Sequence, residues 1–198
     1  MAACLPVAAV ILAAGAATRM RKLKQLLPYR GRTLIQNAVD QALQADFDPV
    51  LVVVGAESAA VRSAVASQKV VIVENSYWQS GMGSSVSAGV HWLRDEKTEA
   101  AAVGILLADQ PLVKAGHLRQ MRTRLHQVPA DAIAAEYSGT LGVPALFKRN
   151  LFTALSELPA SAGARHLLRQ PGVTVEPFFL PEAAFDIDTP ADYESLEA

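Results

Sequence analysis

With one cysteine, Cys4, the chain cannot form an intrachain disulfide, which fits a reducing cytoplasm. Long apolar runs are missing too. The stretch VAAVILAAGAATRM, Val7 to Met20, opens on an apolar segment far short of the roughly 20 residues a membrane span needs. No lysine or arginine precedes Val7, whereas Arg19, Arg21, Lys22 and Lys24 follow it, the reverse of the charge order in a secretory signal. The segment therefore reads as the first strand of a cytoplasmic domain with no membrane association. Net charge is −1, so no global field favours nucleic acid or an anionic membrane. The dinucleotide fingerprint G-x-G-x-x-G is absent, which disfavours an NAD(P)-dependent oxidoreductase, and so is the Walker A pattern G-x-x-x-x-G-K-[ST]. The four histidines, His91, His117, His126 and His166, lack metal-ligand spacing and read as structural. No internal repeat, low-complexity tract or linker-like shift divides residues 1–198, so a single domain is expected.

What is present is apolar and regularly spaced. At 51% hydrophobic and 19% charged residues, a chain of 198 can bury a substantial core. Apolar, β-branched-rich runs lie at Val7–Leu12, Val50–Val54, Val70–Val73, Val103–Leu107 and Val173–Leu180. Helical patterns separate them. One starts at Thr33, whose T-x-x-Q with Gln36 reads as a capping box. Others run through Ser58–Ser67, Ser85–Arg94 and Gly116–Gln127, and a last one begins at Thr189. Near-continuous apolar strands alternating with helices predict an α/β fold whose largely parallel sheet is covered on both faces. Ligands of such sheets sit outside the carboxyl ends of the strands, so functional residues should follow them.

Several do. Strand one feeds LAAGAATRMRKLKQLLP, where Gly15 lets the backbone turn and approach a ligand, and Arg19 and Lys24 could neutralise phosphate. An ordinary strand–helix turn with a solvated basic face gives the same residues. The charge is nonetheless local: six basic residues and no acid lie between Ala16 and Val39, and Glu182–Glu197 is acidic without a base. In NSYWQSGMGSSVSAGV, Gly81, Gly83, Ser84 and Ser85 precede a helical pattern, where free amides and the helix dipole favour an anion or a polar base edge. Trp78 and Met82 read as packing residues. Asp109, in LLADQPLV, should sit at a strand's carboxyl end, where a carboxylate needs a cation or donors. The late FDIDTPADY is expected as a strand, with Asp186 and Asp188 on one face and Phe185 and Ile187 on the other. Thr189-Pro190 then opens the last helix, with Asp192 completing a capping box. Two carboxylates in oxygen-rich surroundings suit Mg²⁺, although Asp188 could equally serve as a helix cap.

LAAGAATRM with Lys24, NxxWxxGMGSS, LLADQP, a G-x-P-A-L-F segment and DIDTP follow one another along nearly the whole chain. In this ordered set the sequence resembles the MobA-like nucleotidyltransferase family, and within it the molybdenum cofactor cytidylyltransferases. The resemblance implies a single three-layer Rossmann-like domain that transfers CMP from CTP to a phosphorylated acceptor of the molybdopterin type, in molybdenum cofactor biosynthesis, with Mg²⁺ as cofactor. It implies Leu12, Ala13, Ala14 and Gly15 around the base, Gly83 and Ser84 near the nucleotide, and Arg19 and Lys24 on the triphosphate. Asp109 and Asp188 would bind the metal, Asp109 being catalytic with Arg19 and Lys24, and Arg165 would contact the acceptor. LAAG, rather than LAGG, goes with cytidine over guanine in the family, and Ala14 holds the deciding place. The chain departs from the family pattern at Arg21, where glycine is usual after TRM, at Val143 in place of His or Asn, and at Ala162, where the acceptor motif usually has aspartate. A sugar-1-phosphate nucleotidyltransferase, or a non-catalytic accessory with a molybdoenzyme partner, is an alternative on the same fold.

Overall fold

The first apolar run forms β1, Val7–Ala13, buried along nearly its whole length and therefore internal to its sheet. The computed structural model describes residues 6–15 and 23–197, and Cys4, Arg19 and Arg21 lie outside them. After β1, a small hairpin of β2, Pro28–Tyr29, and β3, Arg32–Thr33, leads into α1, Leu34–Gln44. The expected capping box is formed: the Gln36 amide donates to Thr33 Oγ1 at 3.3 Å, and the Thr33 amide to Gln36 Oε1 at 2.9 Å. Then follow β4, Val50–Val54, α2, Ser58–Val65, β5, Val71–Glu74, α3, Met82–Asp95, and β6, Ala102–Leu107. The second half comprises α4, Ala115–Gln127, β7, Ala132–Tyr137, β8, Thr140–Lys148, α5, Phe152–Ser156, β9, Val175–Phe179, and α6, Pro190–Glu197.

Seven strands form one sheet in the order β5-β4-β1-β6-β8-β7-β9. All neighbours are parallel except β8, which runs against both β6 and β7. Side chains of β1 alternate between two cores, as the period of a strand requires. Val7, Ala9, Ile11 and Ala13 pack with α1, α2 and α4 through residues such as Ile35, Val61 and Met121. Ala8 and Val10 pack with α3 and α5 through Val86, Val90 and Leu155. The chain is thus a mostly parallel, three-layer α/β structure of Rossmann-like type. Burying each of the valine, leucine and isoleucine side chains contributes about 1.5–3 kcal/mol. Among the described residues, no helix is long and apolar enough to cross a membrane.

Two features differ from the sequence expectation. The hairpin of β7 and β8 was not anticipated, because AIAAEY is alanine-rich and TLGVPALFK carries glycine and proline, residues that weaken a strand signal. Its turn is Ser138-Gly139, both at positive φ, the requirement of a tight two-residue connection. Pro144 sits where the β7–β8 register shifts, a bulge that accommodates its missing N–H. The second difference is FDIDTP, which belongs to no strand. β9 ends at Phe179, a turn of 3₁₀ helix covers Pro181–Ala184, and residues 185–188 are irregular. They are held instead by the Ile187 amide, which donates to the Asp109 carbonyl at 3.0 Å, and by the complete burial of Ile187.

Candidate active site

Parallel pairing aligns the carboxyl ends of β1, β4 and β6: Leu12 lies opposite both Val53 and Leu107. A cavity of about 470 Å³ opens there, lined by Leu12, Ala14 and Gly15 after β1, by Leu107 and Asp109 after β6, and by Lys24, Asp186 and Asp188. Trp78, Gln79, Gly81, Met82 and Ser85, around the start of α3, complete it. A larger, more open groove of about 710 Å³ lies between α4 and β9, but it holds none of the residues that follow the parallel strands.

Of the loop residues expected at the base, Leu12, Ala14 and Gly15 line the cavity, while Ala13 turns into the opposite core. Lys24 begins a 3₁₀ turn, Lys24–Leu26, and its ammonium bridges two carboxylates. It pairs with Asp109 Oδ2 and with Asp188 Oδ1, the latter at 2.8 Å. Burial works against the charge on Lys24, but Asp109 and Asp188 outweigh it and hold the ammonium above the ordinary lysine pKa. Asp186 is pushed the other way for a carboxylic acid, upward, by burial first and then by the negative charges of Asp188 and Asp109. Asp109 Oδ1 is buried and has no hydrogen-bond partner among the described residues. An unsatisfied carboxylate oxygen beside a second carboxylate fits a hard divalent cation, whose other ligands can be water and phosphate oxygens. Among the described residues no group of three or more His, Cys, Asp or Glu side chains has the geometry to hold a metal ion, so substrate or water would have to complete the shell.

The start of α3 behaves differently from expectation. The Gly83 amide donates to the Ala160 carbonyl at 2.9 Å, and the Ser84 amide to the Gly81 carbonyl at 3.2 Å, so neither is left for an anion. Ser84 Oγ lies in a hydrogen-bonded knot with Asn75, Tyr77 and Gly81, outside the cavity lining. A Cβ on Gly83 would overlap the carbonyl oxygens of Pro159 and Ala162, so glycine is there for close packing. Trp78 and Met82, read from sequence as packing residues, line the cavity, and Trp78 also covers Gly55, where a Cβ would meet its ring at 2.6 Å. Arg165 is exposed on a 3₁₀ turn, Ala164–Arg169, and donates to Thr140 Oγ1, outside the lining.

Sequence reasoning missed two buried glutamines. Gln25 Nε2 donates to the carbonyls of Ala13, at 3.1 Å, and Gly15, at 3.2 Å. Gln110 Nε2 donates to Val143, at 3.2 Å, and Ala183, at 2.8 Å, which ties the segment after Asp109 to both β8 and the turn before Asp186. No local pattern marks either one, because the carbonyls they satisfy are distant in sequence or hidden in a turn.

The model of the MobA-like NTP transferase domain matches residues 9–175 of this chain. Nicotine blue oxidoreductase of Paenarthrobacter nicotinovorans is 35% identical over 178 residues, covering 83% of this chain and 82% of its own length. Purine catabolism protein PucB of Bacillus subtilis is 30% identical over 198 residues, covering 94% of each. Among solved structures, Rv0371c of Mycobacterium tuberculosis superposes with a TM-score of 0.83 at 28% identity, over 98% of this chain and 100% of that one. A complex of Rv0371c with manganese gives 0.76 at 29% identity, over 96% and 97% of the two chains.

Proposed function

The chain belongs to the MobA-like NTP transferase domain family, a family of nucleotidyltransferases, and from that premise we propose that it is a Mg²⁺-dependent cytidylyltransferase. In this reading CMP passes from CTP to a phosphorylated acceptor of the molybdopterin type, and pyrophosphate leaves. The observation that carries it is a single cavity joining an apolar end, Leu12, Ala14 and Gly15, to the charged group of Lys24, Asp109 and Asp188. A nucleoside triphosphate has the same two-part character. The Ala14 methyl narrows the apolar end, which favours the smaller pyrimidine, and a preference for CTP over GTP of about 1–3 kcal/mol is the scale of one small-group difference.

The acceptor phosphate oxygen attacks the α-phosphorus; the new P–O bond forms as the bond to the β-phosphate oxygen breaks, and pyrophosphate takes the electron pair. An acceptor phosphate is already ionised at neutral pH, so no general base is required. Positioning and charge neutralisation then supply most of the acceleration. Lys24 takes charge on the departing pyrophosphate, a role the family resemblance extends to Arg19. Asp109 and Asp188 would hold the Mg²⁺, and the manganese complex of the related Rv0371c supports a divalent cation. Bound there, the cation supplies Lewis-acid stabilisation of the phosphate charge. Leu12, Ala14 and Gly15 face the base, and Ala13 backs them from the core. Met82 lines the cavity and its sulfur abuts Gly163, two residues before Arg165, so this is the side assigned to the acceptor.

The test is pyrophosphate release from each nucleoside triphosphate with Mg²⁺ and a panel of acceptors, molybdopterin-type and sugar 1-phosphate. CTP-dependent release with the former is expected. Release with sugar 1-phosphates alone would reassign the acceptor, and none with any acceptor would point to an accessory protein. Because one relative is named nicotine blue oxidoreductase, a nicotinamide absorbance arm with that dye belongs in the panel. Dye-dependent nicotinamide oxidation without pyrophosphate release would replace the transferase reading.

A further inference from the structure

Gln25 is 3% exposed, and burying an amide without partners costs free energy. Its Nε2 spans the loop after β1, donating to Ala13 O at 3.1 Å and Gly15 O at 3.2 Å. Between them the Ala14 carbonyl accepts from the Ala56 amide at 3.3 Å. Three consecutive carbonyls are thus each held by a hydrogen bond. A peptide unit held by its oxygen has its N–H direction fixed as well, because the amide is planar. Gln25 also belongs to the same 3₁₀ turn as Lys24, whose ammonium reaches Asp109 and Asp188. One turn therefore carries two anchors: Gln25 holds the wall expected at the base, and Lys24 holds the charged end.

We infer that Gln25 is a positioning residue that sets nucleotide-base selection, by locking the Ala13–Gly15 backbone and registering it against Lys24. This rests on the nucleotidyl-transfer reading. Gln25 is not itself among the residues that line the cavity; it acts through the loop it holds. With the anchor gone, Ala14 keeps its methyl but not its place, so discrimination between pyrimidine and purine should fall while the carboxylates remain.

The experiment compares wild type with Gln25→Met, which keeps length and removes the donor, and Gln25→Glu, which replaces the donor with an acceptor facing two carbonyls. Gln36→Met is the stability control, since it breaks the bond from Gln36 Nε2 to the Ala64 carbonyl, at 2.7 Å, away from the cavity. Melting temperature, CTP affinity and the CTP:GTP ratio of kcat/KM are read for each. Both Gln25 variants should lose about tenfold or more of the ratio, with KM for CTP rising more than kcat falls. The Gln36 control should lose melting temperature and keep the ratio. If the Gln25 variants only melt earlier and keep wild-type selectivity and KM, Gln25 is a structural residue and the inference is wrong. If wild type neither binds a nucleoside triphosphate nor releases pyrophosphate, the transferase reading fails, and this inference with it.

Discussion

Lys24 is a cation held between two carboxylates, and it reaches Asp188 from 164 residues away in sequence. Asp109 contributes to that pair with one oxygen and keeps the other buried and, among the described residues, unpartnered, so its charge matters more than its shape. Asp109→Asn, close in size but neutral, should keep the fold by circular dichroism while metal-dependent turnover falls by roughly a hundredfold or more. Full activity of a folded Asp109→Asn protein at limiting Mg²⁺ would take the metal away from this pair. Lys24 also predicts a pH effect. Its folded pKa is raised, so its contribution to stability is complete below about pH 10.4, the unfolded lysine value, and is lost as pH climbs through the folded one. The stability difference between wild type and Lys24→Met, from urea unfolding, should therefore stay level to about pH 10 and shrink above it. A difference that instead changed between pH 5 and 8 would point to another group.

At the scale of elements, the start of α3 is a packing joint. Gly83 lets the helix sit against the carbonyls of residues 159–162, and Trp78 fills the space over Gly55 while lining the cavity. Backbone carbonyls yield less readily than a flexible side chain, so Gly83→Ala should cost roughly 1–3 kcal/mol by overpacking. The check is the melting temperature set against KM for CTP in the molecules that remain folded: the first should fall and the second should move little. Unchanged melting with collapsed CTP affinity would restore Gly83 as a nucleotide contact. The glycine was legible in sequence, but its role was not. A helix entry written G-M-G-S-S offers free amides on paper, and only the approach of residues 159–162 consumes the one at Gly83.

At the scale of the whole molecule, two cores share one central sheet, so the described residues should unfold together. Anything that binds only the folded state stabilises it by mass action, about 2.7 kcal/mol at a hundred times Kd. For a chain of this length that corresponds to a rise in melting temperature of about 5–10 °C. CTP with Mg²⁺ should raise a single calorimetric transition by that order, and GTP by less. Two separate transitions would divide the chain into independent units, and an equal shift by both nucleotides would remove the base preference.

The sequence by itself determined what depends on neighbours along the chain: the buried run of β1, the alternation of strand and helix, the Thr33 cap and the position of Asp109 just beyond β6. Periodicity and capping are short-range effects, so they can be read without knowing what lies across the sheet. Only the tertiary structure decided that β8 enters the sheet antiparallel, that Asp188 arrives on an irregular segment pinned by Ile187 to Asp109, and that Lys24 lies between the two carboxylates. It also decided that Gln25 holds the β1 loop. Each of these depends on hydrogen bonds or charges that meet only after the sheet has set its strand order and register, and nothing in the flanking residues encodes the partner.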